Sequence, residues 1–102
     1  PKSEDLVARL TKANVALNDT LLWWIAGGID CIELIAKAVA ESGSTDSAGI
    51  IKYWNSLSTY PGYFGNYRFS PTEHNGYLTE EIVMSESSTA KNGTFALAPG
   101  YT

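Results

Sequence analysis

The chain has 102 residues and a mass of 11.0 kDa, enough for one small domain and too little for two. With 44% hydrophobic and 18% charged residues it reads as globular, which excludes the disordered and collagen-like classes. Seven basic residues against eleven acidic ones leave a formal charge of −4 without any run of Lys or Arg, the wrong sign for a nucleic-acid partner. Cys31 is the single cysteine, so neither an intrachain disulfide nor a Cys-based zinc site can form. Pro1 is followed by Lys, Ser, Glu and Asp rather than by the basic-then-apolar pattern of a signal peptide. The chain is therefore expected to be a processed product or a fragment, with residues 1–102 forming one unit.

In chain order, Ser3 is a candidate cap for a short first helix, with Glu4 and Asp5 in its first turn and Leu6, Val7 and Leu10 on its apolar face. Asn18, Asp19 and Thr20 then offer caps for a long helix over about 20–42, closed by Gly43. Its apolar run from Leu21 is broken at Asp30 after nine uncharged residues, far short of the roughly 20 that a bilayer requires. Asp30, Glu33, Lys37 and Glu41 recur at spacings of three and four and predict a solvated stripe, the rest of the helix facing protein. Gly27 and Gly28 each cost a helix about 1 kcal/mol relative to Ala, which predicts close passage of another backbone. A third helix is expected over about 46–57, with Thr45 as cap, Asp46 in the first turn, and Ile50, Ile51 and Trp54 buried.

After Leu57 the texture turns to Gly, Pro, Tyr and Phe. Residues 66–70 alternate polar and aromatic, predicting a strand with Tyr67 and Phe69 on one face. Residues 71–76 read as a turn and 78–85 as a second strand with Ile82 and Met84 facing one way. Residues 85–93 read as a polar loop and 94–97 as a third short strand. Eight of the twelve aromatics lie between Tyr53 and Tyr77, a density that serves either packing or a binding surface, packing being the ordinary use.

Catalytic patterns are weak. His74 is the only histidine, which excludes a two-imidazole zinc site, and it sits in a turn beside Asn75 and Gly76. Glu80 and Glu81, adjacent on an expected strand, would point to opposite faces, and Asp30 with Glu33 belongs to the expected solvated stripe. The glycines form neither a GxGxxG nor a P-loop pattern, so no cofactor is indicated. Sequons begin at Asn18 and Asn92. The chemistry of the residues alone thus establishes no enzyme, and none is expected.

The order of the punctuation is more specific. A long helix ends in Ala38-Val39-Ala40-Glu41-Ser42-Gly43-Ser44-Thr45-Asp46, a short helix carries Ile50-Ile51, and Tyr60-Pro61-Gly62-Tyr63-Phe64-Gly65-Asn66-Tyr67-Arg68-Phe69 follows. This resembles the C-terminal portion of the type I periplasmic solute-binding proteins of branched-chain amino acid (Leu/Ile/Val) ABC transporters. Gly62, Gly65 and Phe69 match a Gly-x-x-Gly-x-x-x-Phe segment, and Gly93-Thr94-Phe95 a later strand edge. The similarity covers about 19–97. Ile29, Cys31 and Ser70 depart from the family pattern.

The resemblance implies an α/β fold, the C-terminal part of a type I periplasmic-binding-protein-like fold, with helices followed by a β-hairpin. It further implies a small-molecule solute held between two lobes, an ABC transporter permease as partner, and a periplasmic or extracellular-face location. Isolated from its lobe, such a fragment should self-associate through its open apolar surfaces. Alternatives are a ligand-sensing module of the same fold in a signalling protein, or a small independent domain. The positions matching family ligand contacts are Trp23 and Trp24. They lie about 100° apart on a helix, so one is expected to pack inward while the other, by spacing from Asp30 Trp24, reaches the ligand; the ordinary alternative is that both are core.

Overall fold

The Asn18 side chain accepts a hydrogen bond from the Leu21 amide at 2.8 Å, and from this cap helix α2 runs over Asp19–Ser42. It stops where Gly43 takes φ 67° and its N–H closes on the Val39 carbonyl. In the computed structural model, which describes residues 2–91 and 94–101, α2 is flanked by α1 over Lys2–Lys12 and α3 over Ser47–Ser56. Helix α1 begins before the expected Ser3 cap, its Lys2 ammonium donating to the Pro61 carbonyl at 2.7 Å. It ends at left-handed Asn14, where the Val15 amide returns to the Leu10 carbonyl and the Asn14 amide to that of Thr11. The cap of α3 is Asp46 rather than Thr45: its carboxylate accepts the Gly49 amide at 2.8 Å and the Ser44 hydroxyl at 2.6 Å. The Asp46 carboxylate, braced by Ser44, reaches the orphan amides of the first turn.

The expected solvated stripe on α2 is inverted at its start. The inward-facing line is Ala26, Asp30, Leu34 and Ala38, four residues apart each time, and Asp30 at 1% exposure is the most buried large side chain. Glu33 is half-buried, accepting from the Tyr60 hydroxyl at 3.0 Å, while Lys37 and Glu41 remain exposed. The apolar residues instead line the open side, with Trp24 at 67%, Ile32 at 71% and Ile35 at 50% exposure. The physical reason is that the segment packed on α2 presents N–H and O–H donors, which an acidic helix face satisfies and an aliphatic one cannot.

That segment is a tight ribbon. Strand β1, Tyr60–Pro61, pairs antiparallel with β2, Asn66–Tyr67, in the register Tyr60 to Tyr67 and Pro61 to Asn66, and the Gly62 amide donates to the Gly65 carbonyl across the turn. Residues 71–76 form the expected turn, bringing Tyr77 into a single bridge with Tyr67. The expected strand over 78–85 is absent: Thr79–Glu81 is a 3-10 turn, and Ile82 and Met84 are exposed. Two bonds fold this stretch back, Tyr77 hydroxyl to Glu81 carbonyl at 3.2 Å and the Asn66 amide to the Glu81 carboxylate at 2.7 Å. The second sheet joins β3, Ser85–Lys91, to β4, Thr94–Leu97, so much of the expected loop is strand. Its register runs from Ser85–Leu97 to Lys91–Thr94 with an irregularity between, and the sequon at Asn92 lies outside the described residues.

The described chain is thus a small mixed protein of three helices and two small antiparallel sheets. Leu6, Ala26, Leu34, Ala38 and Tyr60 make up its buried apolar core. Its radius of gyration, 16.1 Å, exceeds the ~13 Å expected of a compact domain of this length, and it measures 46 × 34 × 19 Å. Among the described residues, no helix is long and apolar enough to cross a membrane.

Among the described residues no backbone crosses α2 at Gly27 or Gly28, contrary to expectation: a Cβ at either would meet nothing within 4 Å. At Gly62 a Cβ would lie 2.5 Å from Asp30 Oδ2 and 2.6 Å from the Tyr67 ring. Gly27→Ala should therefore stabilise the fold by about 0.5–1 kcal/mol through helix propensity, and Gly62→Ala should destabilise it by about 1–3 kcal/mol. Urea midpoints of the two variants check this, and equal effects would contradict it.

Candidate functional site

The Asp30 carboxylate organises the site. Its Oδ1 accepts the Tyr63 amide at 2.6 Å, and its Oδ2 accepts the Phe64 amide at 2.8 Å and the Tyr67 hydroxyl at 2.9 Å. Two consecutive backbone donors and a phenol thus satisfy an anion that burial alone would make costly. This anchoring holds the rings of Phe64 and Tyr67 beside the first turns of α2. Phe64 lies 5.3 Å from Trp23 and 5.0 Å from Tyr77 between centroids, and Tyr77 stands edge-on to Tyr67 at 6.3 Å.

Between this aromatic wall and α2 runs an open cleft of about 420 Å³, within the range of small-molecule sites. Trp23, Trp24, Phe64, Tyr67 and Tyr77 flank it, and Gly27, Gly28 and Cys31 also line it. Among the described residues no charged side chain lines it. The two glycines supply room instead of close backbone packing.

Both tryptophans line this cleft, so the expectation that only one could is not met. Their Cα–Cβ bonds diverge by about 100°, yet the missing side chains at Gly27 and Gly28 let both indoles overhang one gap. They touch edge to face, centroids 4.9 Å apart at 72°, with Trp23 51% and Trp24 67% exposed, so neither is core within the described chain. The sequence pattern does not mark Phe64, Tyr67 and Tyr77 individually as site residues; their signal is the aromatic density between Tyr53 and Tyr77.

A second polar network rims the anchored loop. The Tyr60 hydroxyl donates to Glu33, whose carboxylate lies 3.7 Å from the Lys2 ammonium, and Lys2 also stands over the Tyr60 and Tyr63 rings at 5.3 and 4.9 Å. Arg9 donates to the Tyr63 hydroxyl at 2.9 Å. Among the described residues no cluster of His, Cys, Asp and Glu could hold a metal ion, and His74 stands apart, bonded to the Pro71 carbonyl. Glu80 and Glu81 belong to the 3-10 turn, and Glu81 is taken up by Asn66.

Comparison with known protein families, with curated proteins and with solved structures finds no match for this chain.

Burial, then the hydrogen bond to Glu33, pushes the Tyr60 phenol up from its ordinary 10.0 to about 12. Burial, then the bond to Asp30, pushes Tyr67 up as well, and Tyr77 rises through burial and the Glu81 charge. Below pH 10 these phenols are protonated in both folded and unfolded chains, so their contribution to stability is fully present. Above it the unfolded chain loses protons that the folded chain retains, and stability falls as pH climbs through the folded values. Urea midpoints should therefore decline from about pH 10 upward. Tyr67→Phe should lower the neutral-pH stability by about 1 kcal/mol and make the alkaline decline shallower. A decline of unchanged steepness in that variant would show that Tyr67 does not contribute to it.

Proposed function

We propose that this chain is the C-terminal portion of a type I periplasmic-binding-protein-like receptor. The receptor is an extracytoplasmic, non-enzymatic component of an ABC importer that carries a small amino-acid-like or aromatic/carboxylate solute to a permease. The observation that carries this reading is the uncharged aromatic cleft on α2, about 420 Å³ in volume and open on one side. Such a surface takes the apolar body of a solute and supplies no ion pair for its charged end, which a facing lobe would hold. The order of helix ends and glycines quoted above supports the same assignment, and Gly62, whose position tolerates no Cβ beside Asp30, gives one of those glycines a physical role. A periplasmic or extracellular-face location follows from the same reading.

In the receptor that carries this chain, Trp24→Ala should weaken solute binding by ~1–3 kcal/mol with the fold intact. Calorimetry on a solute found by screening amino acids and aromatic carboxylates measures it. Unchanged affinity in the folded variant removes Trp24 from the site, and Trp23→Ala then tests its neighbour.

The open face of α2 supports a second element of this reading, that the isolated chain self-associates. Trp24, Ile32 and Ile35 are half or more exposed on one helix side, a contiguous surface that water disfavours. Light scattering at micromolar concentration should give a dimer, and Ile32→Glu should shift it toward monomer. A well-folded wild-type monomer would overturn it.

A further inference from the structure

A separate hollow of about 260 Å³ lies between α3 and the turn at 71–76, more enclosed than the cleft on α2. Ile51, Trp54, Asn55, Phe69 and His74 line it. The Trp54 and Phe69 rings stack at 5.4 Å and 23°, and the indole N–H is already committed to the Leu34 carbonyl at 3.1 Å. The aromatic wall is therefore held in place before anything enters. Two polar side chains have capacity left over. Among the described residues the Asn55 side-chain amide makes no hydrogen bond. His74 Nε2 lies 3.0 Å from the Pro71 carbonyl, which can only accept, so Nε2 carries the hydrogen and the neutral ring keeps its lone pair on Nδ1.

We propose that this hollow binds a small, neutral, single-ring aromatic bearing one hydroxyl or N–H donor, of the phenol class. The volume suits one ring, below the usual span of drug-sized pockets. The walls of Ile51, Trp54 and Phe69 take the ring, the His74 lone pair accepts its proton donor, and the Asn55 amide bonds the same heteroatom or its neighbour. Among the described residues no Asp, Glu, Lys or Arg side chain lines the hollow, so it is built for a neutral ring rather than a charged one. This site is independent of the solute cleft, because none of its lining residues is shared with that cleft.

Phenol, titrated into the isotopically labelled chain and followed by nitrogen–proton correlation spectra, tests the proposal. Saturable shifts are expected at the amides of Asn55, Phe69 and His74 and at the Trp54 indole. Toluene and benzoate should bind there at least about fivefold more weakly, because a site that bonds a hydroxyl discriminates against analogues lacking it. In His74→Phe, phenol should lose its advantage over toluene. Asn55→Leu, on the half-buried side of α3, is a second variant should His74→Phe fail to fold, and it should narrow the same preference. Shifts confined to Trp23, Trp24 and Tyr77, shifts that do not saturate, or equal affinity for phenol and toluene in the wild-type chain would each overturn the proposal.

Discussion

A single buried carboxylate decides how this chain folds back on itself. Removing Asp30 from water is unfavourable by several kcal/mol in itself, and only the surrounding donors make it tolerable. The amides of Tyr63 and Phe64 and the hydroxyl of Tyr67 supply them, all from one eight-residue ribbon spanning 60–67. The ribbon would otherwise have little reason to choose one place on α2, because its two strands pair over only two residues each. With the carboxylate as a fixed point, its rings acquire defined positions over Trp23 and the glycines. The cleft is thus a by-product of an electrostatic anchor rather than of hydrophobic collapse.

The same anchor explains the polarity of the whole molecule. Lys2, Glu33, Tyr60 and Tyr63 assemble around it into a rim that binds α1 to the ribbon, so the charged side of α2 is the occupied side. The aliphatic side, with Ile32 and Ile35, is left open. On the far flank α3 is held by a different device, the Trp54 indole donating to the Leu34 carbonyl, with Phe69 stacked behind it. Two elements flanking one helix are thus each fixed by a specific polar contact, beside the apolar core of Ala26, Leu34 and Ala38.

What was legible in the sequence was local. The caps at Asn18 and Gly43, the extent of the three helices and the turn over 71–76 follow from residues within a few positions of each other. The role of Asp30 was not legible, because periodicity assumes that charges face water. It cannot see donors arriving from thirty-odd residues away, and that is where the Tyr63 and Phe64 amides come from. Gly27 and Gly28 suggest a close approach by pattern but are open floor in the structure, since a missing side chain signals either. The strand over 85–91 lacks the apolar alternation that marks a strand, although the Asn92-Gly93 dipeptide between its last residue and Thr94 is a strong hairpin signal by composition alone. The false strand over 78–85 had the alternation but also the adjacent Glu80-Glu81 pair, and Asn66 draws the second of these back into a turn.

A body only 19 Å through is about two helix diameters thick, so almost every side chain touches one broad face or the other. The heat capacity of unfolding and the sensitivity to denaturant both scale with the apolar surface newly exposed, and a plate that already shows about half of its large aliphatic residues has less to reveal than a compact body of the same length. Its stability curve should consequently be shallower in temperature and broader in urea than that of a compact body of the same length. Whatever covers the open side of α2 would sharpen both transitions, by turning surface already wet in the folded chain into surface that only unfolding can wet.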